Sequence, residues 1–462
     1  MTTIFDHTEL GALDAVATAE RIRAGELSAR EAVEAAIDRA KAFEPILNAI
    51  STETFESALS RSEAPPRGPF SGVPTFIKGL DDEKGVVNDH GSRAYLGHVA
   101  SGTEPFVREF QATGLVSLGR SAAPEFGLNA TTEPLAHGAT RNPWNSAHST
   151  GGSSGGAAAL VAARVVAIAH GSDAAGSIRI PASHCGIVGL KPTRGRGFEP
   201  IVNSKLPVPT LTSGVLTRSV RDTVHFLTAI EERMPSRTLP PIGLVEGPAA
   251  ERLRIAVFTD SPLGDEVDGE VRETTLESAR RCEALGHSVE EISCPYAAQL
   301  LHDTWNHISF LAWVLRLQAR LRPGVDAAKL EPWTQGLAEQ WKSHWWGFIR
   351  LARRMRAARQ VSARLFERYD MLLCPVLAGL PPAIGEFAPD LPFDVTFPGE
   401  KRHMPFAPIQ NATGDPAISL PLGVSAAGLP IGVQFAAAPG REATLLSIAL
   451  ELEGDGAFRM LT

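Results

Sequence analysis

The sequence predicts an α/β fold, in which helices alternate along the chain with short buried strands. Apolar residues recur at helical spacing over 12–42, a β-prone apolar run occupies 72–79, and a strand over 253–258 precedes a helix over 267–285. Such alternation is typical of a sheet covered by helices. The 462 residues are 44% hydrophobic and 21% charged, which suffices to bury a large core in one large domain or two ordinary ones.

The first part of the chain is predicted to contain helices over 12–42, a short strand over 47–50, a strand over 72–79 and a helix–strand pair over 104–120. Ser28 and Glu31 form a capping box for the second of the early helices. The proline and glycine cluster at 65–69 marks a loop. The strand over 72–79 leads into a single lysine, Lys78, which a solvated sheet edge would also explain.

Residues 149–156 form an unusual run in which small residues surround two adjacent serines, Ser153 and Ser154. Glycines cost conformational entropy on folding, so a flexible linker or the close approach of another group should justify them. The next residues, 157–170, are apolar on nearly all sides and predict a buried helix passing into a strand. A helix starting here weakens the linker interpretation, because its N-terminal N–H groups would point at the serines.

A second turn of small residues, 171–181, carries Ser177, 24 residues after Ser153. One helix and one strand fill the interval, so the returning chain can bring both hydroxyls together at a sheet edge. The alternative is that Ser177 is an ordinary turn serine.

The later chain is predicted to contain a helix over 218–231, a mainly helical segment over 297–367, two strands within 411–435 and a final helix over 441–453. Six of the seven tryptophans lie within 297–367. We predict an aromatic helical core for this segment, with a substrate lid as the alternative.

Composition excludes several classes of function. A net charge of −8 gives no reason to expect nucleic acid or a membrane as a partner, and the N-terminus lacks a secretory signal, so we expect a cytoplasmic protein. The four cysteines are widely spaced without a CxxC pair, which predicts reduced thiols. Without an HExxH motif, we predict no metal. We also expect no cofactor.

A serine nucleophile needs a base within reach, and the sequence offers two arrangements. Gly151, Ser153 and Gly155 match G-x-S-x-G, which suggests a Ser-His-Asp esterase of the α/β-hydrolase type. That motif needs a strand directly before the serine, whereas 142–148 is predicted to be a turn. No S-x-x-K motif is present.

The second arrangement combines Lys78, a serine of the 149–156 run and Ser177. Burial of Lys78 would lower its pKa toward neutrality and make it a base. Consecutive backbone N–H groups in the turn would hold the oxyanion of a tetrahedral intermediate, and these belong to Ala174, Ala175, Gly176 and Ser177.

The chain resembles the amidase-signature family of serine hydrolases. The matching motifs, in chain order, are G-V-P-x-x-I-K at 72–78, the glycine and serine run at 149–156, D-x-x-G-S-I-R-I-P at 173–181, C-G-I-V-G-L-K-P-T at 185–193 and G-L-P-I-G-V-Q at 428–434. The resemblance covers most of 10–235 and 405–453. It implies a single α/β/α domain over 1–462 around a large mixed sheet flanked by helices, with 297–367 as a helical tryptophan-rich insertion.

Site roles follow from the resemblance by position. It implies that Ser177 is the nucleophile, that Ser153 is a bridging serine next to a cis peptide bond, and that Lys78 is the base. It further implies supporting roles for Ser154, Asp173 and Arg179, and substrate contacts for Gly127 and Ser153.

The chain departs from the family pattern at three positions. Gly79 stands where an aspartate commonly follows the lysine, Ala175 replaces a frequent glycine in the oxyanion turn, and Thr150 replaces a frequent proline. The first departure puts the support of Lys78 in doubt, and the second would narrow the site.

The resemblance implies an amidase that cleaves C–N bonds of small amides, cyclic amides or carbamates (urethanes), without a metal or cofactor. The tryptophan-rich segment favours bulky aryl or alkyl groups. The alternatives are a glutaminase-type subunit of an amidotransferase, and a Ser-His-Asp esterase. A homodimer is compatible with the sequence.

Overall fold

The N-terminal segment folds into three helices, α1 (Glu9–Ala12), α2 (Ala15–Ala24) and α3 (Ala29–Leu47), in a computed structural model that describes residues 3–248, 251–344 and 347–461. The capping box of α3 is confirmed, because the Ser28 hydroxyl accepts from the Glu31 N–H and the Glu31 carboxylate accepts from the Ser28 N–H. The strand predicted over 47–50 was placed too early. Leu47 is the last helical residue, and Asn48 ends α3 in a left-handed conformation with φ 50°.

A small three-stranded sheet follows. It contains β1 (Ile50–Glu53), β2 (Pro74–Lys78) and β3 (Val116–Ser121), in the order β1-β3-β2, with helices α4 (Phe55–Ser62) and α5 (Pro105–Gln111) beside it. β2 runs parallel to β3, and all of its residues are buried. Lys78 therefore ends a buried strand rather than an exposed edge.

The middle of the chain contains β4 (Arg141–Asn142), β5 (Asn145–Ser149), α6 (Gly155–Ala162), β6 (Ile168–Asp173), α7 (Arg179–Cys185), β7 (Val188–Lys191), β8 (Thr212–Thr217) and α8 (Val220–Arg233). The predicted helix after the glycine and serine run is α6, which begins at Gly155. The turn predicted over 142–148 was wrong in part, because β4 and β5 pair as a short antiparallel ribbon there.

The last part contains β9 (Arg254–Val257), α9 (Gly269–Ala284), β10 (Ser288–Glu291), α10 (Ala298–Leu321), α11 (Pro332–His344), α12 (Phe348–Arg368), β11 (Met371–Pro375), α13 (Phe393–His403), α14 (Pro408–Thr413), β12 (Ala417–Val424), β13 (Pro430–Ala437) and α15 (Glu442–Gly454). The sequence did not predict β11, α13 or α14. No helix in these described ranges is long and apolar enough to cross a membrane.

Eight of these strands form one large mixed sheet in the order β10-β9-β11-β13-β12-β7-β8-β6, and helices flank it. β9 pairs in parallel with β10 and β11, and the other pairs are antiparallel. β6 is therefore an edge strand. The small sheet packs beside it, since the Thr75 hydroxyl on β2 donates to the Ile168 carbonyl on β6 at 2.9 Å. This contact brings the end of β2 next to the end of β6.

The tryptophan-rich segment forms α10, α11 and most of α12. Trp305 and Trp333 are buried in one apolar cluster and Trp341 in another, which matches the predicted aromatic core. Trp345 and Trp346, which the prediction also included, lie outside the described residues.

Candidate active site

Lys78 lies at the end of β2 and is fully buried. Its Nζ donates to Ser153 Oγ at 2.8 Å, to the Ser172 carbonyl at 3.1 Å and to Ser172 Oγ at 3.2 Å. Burial lowers the pKa of Lys78 to about 7, although the negative charges of Asp81 and Asp173 oppose the shift. Three oxygen atoms thus hold the amine in place. Because its pKa is lowered to about 7, a substantial fraction of the amine is neutral near pH 7 and could accept a proton.

Ser153 follows a cis peptide bond after Gly152, at the position where the resemblance implied one. The glycine allows a close approach of neighbouring backbone, because a Cβ at Gly152 would lie 2.7 Å from the carbonyl oxygens of both Asn129 and Thr131. This packing fixes the Ser153 backbone beside Lys78.

Ser177 lies in the turn between β6 and α7, and its side chain lines the same pocket as Ser153. The Ser154 N–H donates to the Ser177 carbonyl at 3.2 Å, which joins the two serine-bearing turns. The hydrogen bonds among the described residues do not include one between the Ser153 and Ser177 hydroxyls. The structure therefore brings Lys78 into direct contact with Ser153, and Ser177 into the pocket beside them.

The backbone N–H groups of the turn do not all face the same way. The Gly176 N–H donates to Asp173 Oδ1 at 2.7 Å and the Ile178 N–H to Asp173 Oδ2 at 3.1 Å. Within the described chain, the N–H groups of Ala174, Ala175 and Ser177 have no such partner. The four-residue oxyanion prediction is thus reduced to three free donors.

Asp173 and Arg179 stabilise this turn through hydrogen bonds and an ion pair. Both are fully buried, and Arg179 donates to the two Asp173 oxygens at 3.0 Å each. Although burial acts to raise it, the Arg179 guanidinium lowers the pKa of Asp173 to about 2. Arg179 also donates to Gln434 at 2.6 Å, and Asn411 donates to the Asp173 carbonyl at 3.0 Å. The supporting position predicted for this pair agrees with these contacts.

Ser154 and Gly127, whose predicted roles remain predictions, both lie close to this site. The Ser154 hydroxyl donates to the Ser172 carbonyl at 3.4 Å. Gly127 lines the pocket with φ +72°, and a Cβ there would lie 3.0 Å from Ser153 Oγ and 2.7 Å from Leu80. A side chain at position 127 would therefore press on Ser153.

Three residues around Lys78 escaped the sequence prediction, namely Ser172, His170 and Asp81. His170 accepts the Lys78 backbone N–H at 3.3 Å, and burial lowers the pKa of this imidazole to about 3. Burial likewise raises the pKa of Asp81 to about 7, against the pull of Lys78. The only available signal was the short K-G-L-D spacing, which places Asp81 three residues after the lysine.

The departures from the family pattern acquire structural reasons at Gly79 and Ala175. A Cβ at Gly79 would lie 2.9 Å from the Ser121 carbonyl, which disfavours a side chain at this position, and Asp81 is an acidic group near Lys78. Ala175 lines the pocket, so its methyl group does narrow the site. Thr150 is buried and donates to the Gly151 carbonyl at 3.2 Å.

Histidines and metal ligands lie elsewhere. No histidine of the described residues lines the pocket that contains Ser153 and Ser177. Among the residues that the structure describes, only one group of side chains could hold a metal ion. It contains Asp82, His90 and His98, whose possible ligand atoms lie within 4.8 Å of one another. The Arg322 guanidinium lies 3.3 Å from both ring nitrogens of His98, which opposes a cation there. The absence of a metal stays a prediction.

Known proteins of similar sequence include amidases and an amide hydrolase. A family model described as Amidase matches residues 31–446. The chain is 43% identical over 454 residues to the putative amidase AmiC of Mycobacterium tuberculosis, covering 96% of this chain and 94% of that protein. It is 37% identical to the 6-aminohexanoate-cyclic-dimer hydrolase of Paenarthrobacter ureafaciens, covering 96% and 94%.

Solved structures give the same result. A 6-aminohexanoate cyclic dimer hydrolase complexed with substrate superposes with a TM-score of 0.90 at 36% identity, over 97% of both chains. A bacterial aryl acylamidase of the amidase-signature family gives a TM-score of 0.83 at 25% identity, over 96% of both. The chain therefore belongs to the amidase-signature family of enzymes that hydrolyse amide C–N bonds.

Proposed function

We propose that this enzyme cleaves aryl and alkyl amides and carbamates through an acyl-enzyme on Ser177, with Ser153 and Lys78 as the proton relay. The observation that carries the proposal is the 2.8 Å hydrogen bond from Lys78 Nζ to Ser153 Oγ, beside a pocket that Ser177 lines. A lysine whose pKa is about 7 is neutral often enough to accept a proton.

The acylation half follows from this geometry. Ser177 Oγ bonds to the substrate carbonyl carbon while its proton passes to Ser153 Oγ, and the Ser153 proton passes to Lys78 Nζ. The resulting oxyanion accepts from the free N–H groups of Ala174, Ala175 and Ser177. The C–N bond then breaks, and the leaving nitrogen takes the proton back from Lys78 through Ser153.

Deacylation uses the same groups. Water attacks the Ser177 ester, its proton travels through Ser153 to Lys78, and the acid leaves as Ser177 regains its proton. The link from Ser153 to Ser177 forms when substrate is bound, since hydrogen bonds between catalytic groups often tighten only in the complex.

The pocket wall supports apolar substrates. It contains Leu128, Ile180, Leu211, Ile308 and Leu311, and no lysine or arginine among the described residues. A free glutamine carboxylate would find no cation there, which argues against the glutaminase alternative. The absence of histidine from the described lining argues likewise against a Ser-His-Asp esterase.

Active-site labelling tests the proposal. A fluorophosphonate probe bonds to an activated serine, and trypsin cleavage at Arg164 separates the peptide with Ser153 from the peptide with Ser177. We expect the label on Ser177 in wild type and in the control Ser154→Ala, and little label in Lys78→Ala. A label on Ser153, or one independent of Lys78, would overturn the mechanism.

Substrate assays test the specificity. We expect hydrolysis of small anilides and carbamates, with free glutamine untouched. Activity on free glutamine alone would refute the proposed substrate class.

A further inference from the structure

One side of the pocket contains two buried polar atoms that bind nothing in the protein. This wall comes from α10, which contributes Trp305, from α13, which contributes Glu400, and from Met404 directly after α13. Glu400 Oε2 and Trp305 Nε1 have no hydrogen-bond partner among the described residues, although the two side chains are only 1% and 2% exposed. A buried polar group without a partner costs about 1–3 kcal/mol, so each such group needs an explanation.

The Glu400 carboxyl is held in a defined orientation. Its Oε1 accepts the Ala130 N–H at 2.7 Å. Within the described ranges, no arginine or lysine forms an ion pair with it, unlike the buried Asp173, Glu83 and Glu442, which each pair with an arginine. Burial raises the pKa of Glu400 to about 8, so the carboxyl is mostly protonated at neutral pH. Because Oε1 accepts, the proton lies on Oε2, which is then a donor.

Trp305 supplies a second donor on the same wall. Its ring packs edge-on against Phe397 of α13, with centroids 5.3 Å apart. Two other buried tryptophans donate their indole N–H to a backbone carbonyl, Trp333 to Leu128 at 2.7 Å and Trp144 to Cys185 at 2.9 Å. An indole nitrogen can only donate, so Trp305 lacks an acceptor.

We propose that Glu400 and Trp305 form a subsite that binds a carbonyl oxygen of the substrate other than the scissile one, so that diamides or amide-carbamates are preferred over simple amides. The inference rests on the proposed function, because it assumes that substrate occupies the pocket beside Ser177. A carbonyl fits two neutral donors in an apolar wall. A carboxylate does not, because no cation in the described lining would compensate for its loss of water.

Matched substrates test the subsite. We would compare alkanoyl 4-nitroanilides with analogues of equal length in which two chain atoms are replaced by –CO–NH– at successive positions. The measured quantity is the ratio of kcat/KM for diamide to kcat/KM for monoamide. We expect the best diamide to be preferred in wild type, and the ratio to fall about 3- to 10-fold in Trp305→Phe and in Glu400→Leu.

Glu400→Gln is the matched variant. Its amide can accept from Ala130 and donate to substrate, so the diamide preference should survive in it. Its loss in Glu400→Gln, or a wild-type preference for substrates with a terminal ammonium or carboxylate, would overturn the proposal. A preference unchanged in both Trp305→Phe and Glu400→Leu would overturn it as well.

Labelling separates this inference from the mechanism. If the fluorophosphonate does not label Ser177 in wild type, the proposed function fails. If Ser177 is labelled in wild type and in each variant, but the diamide ratio does not respond, the subsite alone fails. Labelling of the variants also shows that they are folded.

Discussion

The side-chain nitrogen of Lys78 donates a 2.8 Å hydrogen bond to the hydroxyl of Ser153, and both residues are buried. In water a lysine is fully charged at neutral pH, and its ammonium could accept no proton. Burial removes the hydration that favours the charged form and so lowers the pKa of this amine to about 7. The proposed relay therefore depends on the buried strand that ends at Lys78.

The first prediction concerns pH. Because the base must be neutral, kcat/KM should rise with pH up to about 7 and fall about tenfold per unit below that value. A pH–rate profile measured with an uncharged amide substrate shows this acidic limb, in which kcat/KM rises with pH. Lys78→Ala should have low residual activity without the same limb. A wild-type rate that is constant below pH 7 would contradict the assignment of Lys78 as base.

The second prediction compares two neighbouring serines. Ser153→Ala breaks the relay and should lower kcat by roughly 10³-fold or more. Ser154→Ala removes only a 3.4 Å hydrogen bond to the Ser172 carbonyl and should cost far less. Steady-state kinetics of both variants with one anilide decides the matter. Equal losses would show that the two hydroxyls act together in support of the turn.

The third prediction compares two glycines with the same backbone constraint. Gly127 and Gly97 have φ +72° and +76°, so an alanine is strained at either position. Only at position 127 would the new Cβ meet Ser153 and Leu80, since nothing lies within 4 Å of one at Gly97. Gly127→Ala should lower kcat by roughly 10²-fold through displacement of Ser153, whereas Gly97→Ala should keep its activity. Similar kinetics for both variants would refute the contact argument.

The fourth prediction concerns stability. Asp173→Asn leaves the buried Arg179 without its charge partner and should destabilise the protein by about 3–5 kcal/mol. Asp370→Asn breaks an exposed pair with Arg254 and should cost about 0–1 kcal/mol. Denaturant unfolding of the two variants measures the difference. An equally small loss in both would mean that Asp173 contributes little to stability.

The pH dependence of stability gives the fifth prediction. The pKa of Asp173 is lower in the folded chain than its usual 3.8, so its contribution is present above about pH 4. That contribution should disappear as the pH falls toward 2. Unfolding measured across this range should show a steeper acid loss in wild type than in Asp173→Asn. Parallel curves would contradict the lowered pKa.

Local pattern predicted much of the fold. The apolar run ending at Lys78, the helix after the glycines and the strand pair near the C-terminus each depend on neighbours in sequence, and each was found. The misplaced first strand has a local cause too. Asn48 adopts the left-handed conformation that ends α3, and hydrophobic periodicity does not reveal this end of the helix.

The parts of the site that escaped prediction depend on distant neighbours. Asn411 and Gln434 contact Asp173 and Arg179 across more than 200 residues. Gln434 ends the G-L-P-I-G-V-Q motif, but the motif does not reveal which residue this amide contacts. Glu400 likewise lies on α13, a helix that the sequence did not predict. Motifs thus indicated the groups that we propose to react and the Asp173–Arg179 pair, whereas Asn411, Gln434 and Glu400 became apparent only from the tertiary structure.

The contacts of Asp173 and Arg179 with Asn411 and Gln434 also bear on how activity arises during synthesis. A chain synthesised as far as Arg179 already contains Lys78, Ser153 and Ser177. It still lacks the side-chain amides of Asn411 and Gln434, which hydrogen-bond Asp173 and Arg179. We therefore expect a nascent chain to remain inert until its final strands have been made and docked. Hydrolase activity would then arise only after synthesis of the chain is complete.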